Sequence, residues 1–335
     1  MQATTVLEPE RTATMQPDHA TQLNTIEEAL IDIRAGKVII VVDDEDRENE
    51  GDFICAAETI TPDMINFMSM HGRGLICTPI EEKRAEDLGL QLMVNANTAL
   101  HETAFTVSID LIGHGCTTGI SAYDRATGIR HLTSPNAKPS DFARPGHIFP
   151  LRAKNGGVLR RTGHTEAAVD LARMAGFYPA GVLVEILNSD GTMARLPELL
   201  EVARQFDLKV ISIDDLVAYR MRTERLVKRE LETTMRTLYG DFDAIAYTDV
   251  STGDMHLVLK KGEWTEDEPV LVRVHSWSET GGILGNLLAD YGVQIQSALK
   301  TIAEAGKGAF VYLRQGDKAD LLSRLKIYKQ LMEDG

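Results

Sequence analysis

Residues 38–52 read VIIVVDDEDRENEGD, a short apolar run that passes directly into an acidic one. The run Val38–Val42 consists only of β-branched residues without charge, which is typical of a strand buried on both faces. The next ten residues contain seven acids around a single arginine, Arg47. Because functional sites of α/β proteins form at strand ends, this stretch predicts an α/β fold with a site directly after the strand.

Helical and strand patterns alternate on both sides of this stretch. The spacing of apolar residues predicts a helix from Leu23 that stops at Gly36, and Thr61–Asp63 predicts the capped start of a helix ending near Gly72. Further strands are predicted at 52–57, 75–79, 103–109, 147–151, 182–187 and 210–213, with helices at 166–175 and 198–206. We therefore predict an α/β (α+β) domain with a mixed sheet and flanking helices.

Composition along the chain predicts three segments. Residues 1–20 lack periodicity and are predicted to form a flexible tail. The charged segment 219–225 marks the boundary between a first domain at 21–218 and a second, smaller α/β domain at 222–335. The second domain is predicted to contain strands at 244–247, 256–259, 270–274 and 309–313, a helix at 284–303, and a last helix from Leu321.

Length and charge exclude several classes of protein. At 335 residues the chain suggests about two domains. Its net charge of −15 argues against general binding to nucleic acid or to anionic membranes. The longest apolar run is far shorter than the roughly 20 residues that span a bilayer, and no secretory signal is visible. Three cysteines without metal-type spacing fit a reducing, cytoplasmic setting.

The acidic run 43–52 allows two interpretations. It is either a solvated loop or a magnesium site, because carboxylate oxygens suit Mg²⁺, which takes one or two protein carboxylates plus waters and substrate oxygens. Arg47 among the acids could pin a carboxylate or bind a phosphate. The spacing does not match a calcium-binding EF-hand loop.

A second cluster, at 160–166, reads RRTGHTE and leads into a predicted helix. Backbone N–H groups at a helix start attract anions, so Arg161, Gly163 and Thr165 together form a candidate phosphate site, with His164 able to bind a metal or carry a proton. The alternative is an ordinary helix start capped by Thr165. Together the two clusters supply the groups for Mg²⁺-assisted chemistry on a sugar phosphate.

Three more segments carry candidate residues. The stretch 116–125 places small hydroxyl residues at another helix start, and the stretch 144–150 places His147 after a Pro-Gly turn. Glu185 interrupts an apolar strand, where a buried ionised acid must be paired; alternatively it faces outward from an edge. The remaining histidines His71, His101, His114 and His131 are interpreted as structural.

With these motifs, residues from about 21 to 218 closely resemble 3,4-dihydroxy-2-butanone 4-phosphate synthases, riboflavin-pathway enzymes that act on D-ribulose 5-phosphate. The shared motifs are long, ordered and spread over nearly the whole segment. They comprise 43–53, 116–125, 144–151, 161–166 and the strand that contains Glu185.

The resemblance implies a role for individual residues. Glu48 and His164 would ligate magnesium, and His147 and Glu185 would be catalytic. The residues that would bind ribulose 5-phosphate are Arg47, Glu48, Asp52, Arg161, Thr162, Gly163, His164 and Thr165. Which of Asp52, Glu185 and His147 serves each proton transfer stays open. Cys77 also falls in a family segment near the active site, where it is either a small buried residue or a direct participant.

The resemblance also implies chemistry and assembly. The family reaction is an enolisation, a dehydration, a skeletal rearrangement and the loss of C4 as formate. Its cofactor is Mg²⁺ or Mn²⁺, with two ions per subunit, and the family forms homodimers with each active site near the subunit interface.

The segment from about 222 to 335 resembles GTP cyclohydrolase II, but the three cysteines that bind zinc in that family are replaced by Ser278, Ala289 and Tyr291. Because serine, alanine and tyrosine cannot replace thiolates, we expect a degenerate domain without zinc. The first hypothesis is a monofunctional synthase. The alternatives are a bifunctional enzyme that also opens GTP, and a second domain that acts as a regulatory or assembly module.

Overall fold

The computed structural model describes residues 23–250, 252–277 and 291–314. The chain divides into two compact units. The first contains residues up to Ala153 together with Arg161–Val217, and the second contains Lys154–Arg160 and the residues from Ala218 onward. The predicted tail at 1–20, the predicted last helix, Ser278 and Ala289 lie outside the described residues, and each unit is considered by itself.

In the first unit, helices alternate with strands as the sequence predicts. Its elements are α1 (Ile26–Arg34), β1 (Ile39–Val42), β2 (Gly51–Ala56), α2 (Pro62–His71), β3 (Cys77–Glu81), α3 (Glu82–Asp87), β4 (Ile109–Leu111), α4 (Ala122–Thr133), β5 (Phe142–Ala153), α5 (His164–Met174), β6 (Gly181–Glu185), α6 (Leu196–Phe206) and β7 (Val210–Ser212). Helix α7 (Ile213–Thr223) leads into the second unit.

One seven-stranded mixed sheet organises the first unit, in the order β4-β5-β3-β6-β2-β1-β7. Strands β1 and β2 are antiparallel with Val42 opposite Gly51, so the acidic residues 43–50 form the connection between them. Strand β2 is also antiparallel to β6, and this register sets Asp52 directly opposite Glu185. The sheet therefore brings the acidic stretch and the lone strand acid to one place.

Local sequence explains the helix starts and the buried strand. Thr25 and Glu28 form a reciprocal capping box at α1, and the Thr61 side chain accepts a hydrogen bond from the backbone N–H of Met64 at the start of α2. All four residues of β1 are buried, as their uncharged β-branched side chains predict. The mixed α/β fold predicted for this domain is confirmed.

Two local predictions are wrong. The segment 103–109 is not a continuous strand, since Phe105 and Thr106 each make only a single bridge. Phe105 is paired with Leu151 on β5, next to Pro150, and a proline has no N–H with which the pairing could continue. Thr165 does not cap α5 either. The helix begins at His164 with Gly163 in the capping position, so Thr165 lies inside the first turn.

The second unit is a five-stranded sheet with a helix beside it. It contains β8 (Val227–Thr237), β9 (Gly240–Asp249), β10 (Met255–Lys261), β11 (Leu271–Trp277), α8 (Tyr291–Ala305) and β12 (Gly308–Arg314), with the strand order β11-β12-β10-β9-β8. Phe242, Leu259, Ile302 and Phe310 form its core. The predicted smaller α/β domain is confirmed. Among the described residues, no helix is both long and apolar enough to cross a membrane.

Strand β1 belongs to the buried core of the first unit, which a matched pair of variants can test. Ile40 is fully buried, whereas Ile31 on α1 is 61% exposed. We expect Ile40→Ala to lower the free energy of unfolding by about 2–5 kcal/mol and Ile31→Ala to change it by about 0.5 kcal/mol or less. Urea unfolding followed by far-UV circular dichroism measures both. Equal effects of the two variants would contradict the burial of β1 in the core.

Candidate active site

The acidic connection between β1 and β2 is shaped by Asp43. One oxygen of its carboxylate accepts hydrogen bonds from Arg47 Nη1 at 2.8 Å and from the backbone N–H of Glu48 at 3.2 Å. The other accepts from the backbone N–H of Glu50 at 2.8 Å. Because the Asp43 side chain is buried, these bonds fix the loop around it. The solvated-loop interpretation holds only for the outer residues 44–46, which are exposed.

His164 lies at the first position of α5 and is buried. Its Nε2 hydrogen-bonds to the carbonyl oxygen of Val41 on β1 at 3.1 Å, and its Nδ1 lies 3.9 Å from Glu48 Oε2. A carbonyl can only accept, so Nε2 carries a proton and Nδ1 faces the acidic loop. One ligand atom each from Asp43, Glu48 and His164 lie within 4.8 Å of one another. Glu48 and His164 are the two residues that the sequence interpretation assigned to a metal, and the structure adds Asp43 to them.

The charges of this cluster shift three pKa values. The nearby His164 ring and Arg47 hold the pKa of Glu48 at about 2 despite partial burial. Burial raises the pKa of Asp52 to about 7, with Glu185 and Glu50 adding to the effect. Burial opposes a charge on His164, but the Asp52 and Glu48 carboxylates outweigh it and raise its pKa to about 9. At neutral pH a charged imidazole therefore lies beside an ionised Glu48.

Arg161 supplies a further cation to the same cavity. Its Nη1 donates to Glu166 Oε2 at 2.7 Å, and its Nη2 donates to the carbonyl oxygen of His101 at 2.9 Å. A Cβ on Gly163 would lie 2.3 Å from Arg161 Nη1, so glycine at this position lets the guanidinium fold back over the start of α5. Arg161 is thus held rigidly beside the first turn of α5, the end of a helix that favours anions.

Asp52, Glu185 and Cys77 form the floor of the site. Asp52 Oδ1 is buried without a hydrogen-bond partner among the described residues. Glu185 is partly buried and its Oε2 accepts from the backbone N–H of Leu75 at 2.8 Å, so it does not face outward from a sheet edge. Burial raises the pKa of the Cys77 thiol strongly, which keeps it neutral. This favours the small buried residue over a nucleophile.

These groups surround one cavity of about 460 Å³, a volume typical of small-molecule sites. Of the residues assigned from the sequence, it is lined by Arg47, Glu48, Asp52, Arg161, His164, Thr165 and Glu185. Thr162, Gly163 and His147 are not among its lining residues. His147 lies on β5, where it pairs with Asp110, and its side chain is 44% exposed.

The cavity also contains residues that the sequence interpretation missed. They are Glu50, His101, Thr103, Phe105, Leu151 and Leu183. His101 was interpreted as structural, but its Nε2 lies 4.0 Å from Glu48 Oε1. His101 and Phe105 lie outside the motifs found in the sequence. Arg161 donates a hydrogen bond to the carbonyl oxygen of His101, so the place of this residue in the cavity depends on a contact between distant parts of the chain.

Family models match both parts of the chain. The model of 3,4-dihydroxy-2-butanone 4-phosphate synthase matches residues 27–219, and the model of GTP cyclohydrolase II matches residues 228–335. The second match corrects one expectation, because the domain as a whole retains the family pattern and is not degenerate throughout. The absence of any cysteine beyond Cys116 is nevertheless a fact of the sequence.

Relatives and solved structures agree with these models. The riboflavin biosynthesis protein RibBA of Cytophaga hutchinsonii is 61% identical over 94% of this chain and 78% of its own, and that of Bacillus mycoides is 58% identical over 92% and 78%. RibBX, a two-domain 3,4-dihydroxy-2-butanone 4-phosphate synthase from A. baumannii, is 42% identical with a TM-score of 0.72 and covers 90% of this chain and 85% of its own.

A further solved structure is similar to the first unit. It is a 3,4-dihydroxy-2-butanone 4-phosphate synthase in complex with two magnesium ions, 42% identical with a TM-score of 0.59, and it covers 60% of this chain and 98% of its own. This structure, the family models and the RibBA relatives all indicate the same family. The chain belongs to the 3,4-dihydroxy-2-butanone 4-phosphate synthase family, joined to a domain of the GTP cyclohydrolase II family, and is a lyase of riboflavin biosynthesis.

Proposed function

We propose that the first unit converts D-ribulose 5-phosphate to L-3,4-dihydroxy-2-butanone 4-phosphate and formate with a divalent cation. The observation that carries this proposal is that Glu48, His164 and Arg161 line one cavity. Such a cavity would offer both a metal site and an anion site. A sugar phosphate carries matching groups, with carbonyl and hydroxyl oxygens at one end and a phosphate at the other.

The donor set fits Mg²⁺ or Mn²⁺. Glu48 is ionised and partly exposed, and His164 presents Nδ1 toward it, whereas the oxygens of Asp43 are already occupied by hydrogen bonds. We therefore assign Glu48 and His164 as the ligands, with waters and substrate oxygens completing the coordination. The bound cation would act as a Lewis acid on the sugar oxygens. A related synthase in complex with two magnesium ions supports the use of a divalent cation, and we propose two ions per subunit.

The remaining cavity residues would bind and deprotonate the substrate. Arg161 and the first turn of α5, including Thr165, would hold the phosphate, because backbone N–H groups and a guanidinium both favour anions there. Thr162 and Gly163 would contribute through the backbone. Asp52, with a pKa of about 7 and a free oxygen, is suited to take up and return a proton near neutral pH. Glu185, which is paired with Asp52 across β2 and β6, would be a second group that takes up or returns a proton.

His147 supports a homodimer. It is assigned a catalytic role but does not line the cavity of its own subunit. The loop after β4 and the first turn of α4 expose the apolar side chains of Ile112, Ile120 and Tyr123. We propose that a second copy covers this surface and that His147 acts in the partner's cavity. The three free cysteines agree with a reducing cytoplasmic setting.

For the second domain we propose that zinc-dependent chemistry is absent. Ser278, Ala289 and Tyr291 stand where the family has its zinc-binding cysteines, and the sequence contains no cysteine after Cys116 that could bind zinc instead. RibBX, a two-domain synthase of similar extent, supports a chain with one activity. The RibBA relatives and the family match support the bifunctional alternative. An assembly role would be indicated if removal of residues 222–335 dissociated the oligomer.

Formate release, followed by proton NMR, tests both activities because each parent reaction expels formate. With ribulose 5-phosphate and Mg²⁺ we expect formate that EDTA abolishes, and a loss of at least about a hundredfold in Glu48→Gln, which lacks the carboxylate charge, and in His164→Gln, which lacks the imidazole nitrogen. The control Glu45→Gln, in the exposed part of the same loop, keeps its activity. Full activity of either ligand variant would contradict the metal assignment. Formate from GTP with Zn²⁺ would establish the bifunctional alternative.

Magnesium binding is expected to release a proton. Because the pKa of His164 is raised to about 9, the ring is protonated at pH 7.5 and must lose its proton to bind a cation. The apparent affinity should rise by about tenfold per pH unit toward pH 9 and level off above it. Isothermal titration calorimetry in two buffers of different ionisation enthalpy measures the number of protons released for each magnesium ion bound. A pH-independent affinity, or an unchanged slope in His164→Gln, would argue against this ligand.

The shared active site is tested by mixing two inactive variants. His147→Ala and Glu48→Ala are co-refolded in equal amounts. A mixed dimer contains one cavity with an intact Glu48 and the intact His147 of the other chain, so about a quarter of the wild-type activity should return. Refolding each variant alone is the control. No recovery in the mixture would show that both residues act within one chain.

A further inference from the structure

Asp110 and His147 form a bidentate pair outside the cavity. The backbone N–H of His147 donates to Asp110 Oδ1 at 2.8 Å, and His147 Nδ1 lies 2.7 Å from Asp110 Oδ2. The Asp110 side chain is only 17% exposed, whereas the imidazole is 44% exposed. The carboxylate is therefore covered while the ring that it holds remains accessible.

Several features of the chain are needed to build this pair. The register of β4 and β5 shifts between Ile109 and Asp110, and such an irregularity redirects a side chain. A Cβ on Gly146 would lie 2.3 Å from the backbone nitrogen of Asp110, and one on Gly119 would lie 2.1 Å from its carboxylate. The backbone N–H of Gly146 donates to the Ser108 hydroxyl at 3.1 Å. Two glycines and a strand irregularity thus make room for one carboxylate.

The pair has a chemical consequence for the imidazole. An ionised carboxylate can only accept hydrogen bonds, so Nδ1 of a neutral His147 must carry the ring proton. Its Nε2 is then left with a free lone pair. We propose that Asp110 is a positioning residue, which fixes this tautomer and the ring orientation so that Nε2 exchanges protons with the substrate.

The inference rests on the proposed function, because it takes His147 as the catalytic base. When Nε2 accepts a proton, a C–H or O–H bond of the substrate breaks and an N–H bond forms. The ring becomes a cation, which the Asp110 carboxylate stabilises from the Nδ1 side, and the proton returns to the substrate in a later step. Asp110 does not line the cavity of its own subunit, and in this proposal it acts through His147.

A second aspartate–histidine pair in the same unit provides a matched control. His131 Nε2 lies 2.9 Å from Asp141 Oδ2, but this ring packs between Phe142 and His114 and is only 19% exposed. It has similar hydrogen-bond geometry without an accessible second nitrogen. Asp141→Asn therefore removes the same kind of interaction without affecting a catalytic ring.

The tautomer of His147 is read directly by long-range ¹H–¹⁵N NMR on ¹⁵N-histidine-labelled full-length protein, with His147→Gln to assign the signal. We expect a protonated Nδ1 and an unprotonated Nε2 in the neutral ring, and loss of this signature in Asp110→Asn, whose amide can donate to Nδ1. A neutral ring protonated on Nε2 in the unmodified protein would overturn the proposal.

Kinetics with ribulose 5-phosphate and Mg²⁺ provide the second readout. In Asp110→Asn we expect kcat to fall by about a hundredfold or more, with KM changed by no more than about threefold, whereas Asp141→Asn keeps the wild-type kcat. Loss of turnover in His147→Gln without loss in Asp110→Asn would overturn this proposal alone. Full turnover in His147→Gln would overturn the catalytic assignment of His147 itself, and this proposal with it.

Discussion

The hydrogen bond from His164 Nε2 to the carbonyl oxygen of Val41 joins the two sequence motifs on which the site depends. Val41 lies on the buried strand β1, and His164 is the first residue of α5. Because a buried carbonyl needs a donor, the ring is held in one orientation, with Nδ1 toward Glu48. The start of α5 and the side chains of His164 and Glu48 are thereby fixed in a single arrangement.

The cations around that bond are those that the proposed anionic substrate would meet in an otherwise acidic protein. The chain carries a net charge of −15, yet Arg47, Arg161 and the protonated His164 all line one cavity. Each is held by an acid: Asp43 and Glu48 beside Arg47, Glu166 beside Arg161, and Glu48 beside His164. Local pairing therefore holds each cation in place, and a divalent cation that displaces the single His164 proton would add one positive charge beside Glu48.

Motifs next to buried strands or helix starts could be predicted from the sequence, because interactions between neighbouring residues determine them. The run 38–52 predicted both β1 and the acidic loop, and 161–166 predicted the start of α5. Residues that depend on long-range register could not be assigned in the same way. Asp52 faces Glu185 only because β2 pairs with β6, and His101 enters the site only through Arg161. The strand predicted at 103–109 failed because Pro150 lies on the partner strand.

The central claim is that Glu48 and His164 ligate one cation in the cavity beside β1. Crystals grown with Mn²⁺ and ribulose 5-phosphate, measured at the manganese absorption edge, test it most directly, because the anomalous signal locates the metal without assumptions about chemistry. The account predicts a peak within about 2.5 Å of a Glu48 carboxylate oxygen and of His164 Nδ1. A well-occupied cavity whose manganese lies away from both side chains would contradict it.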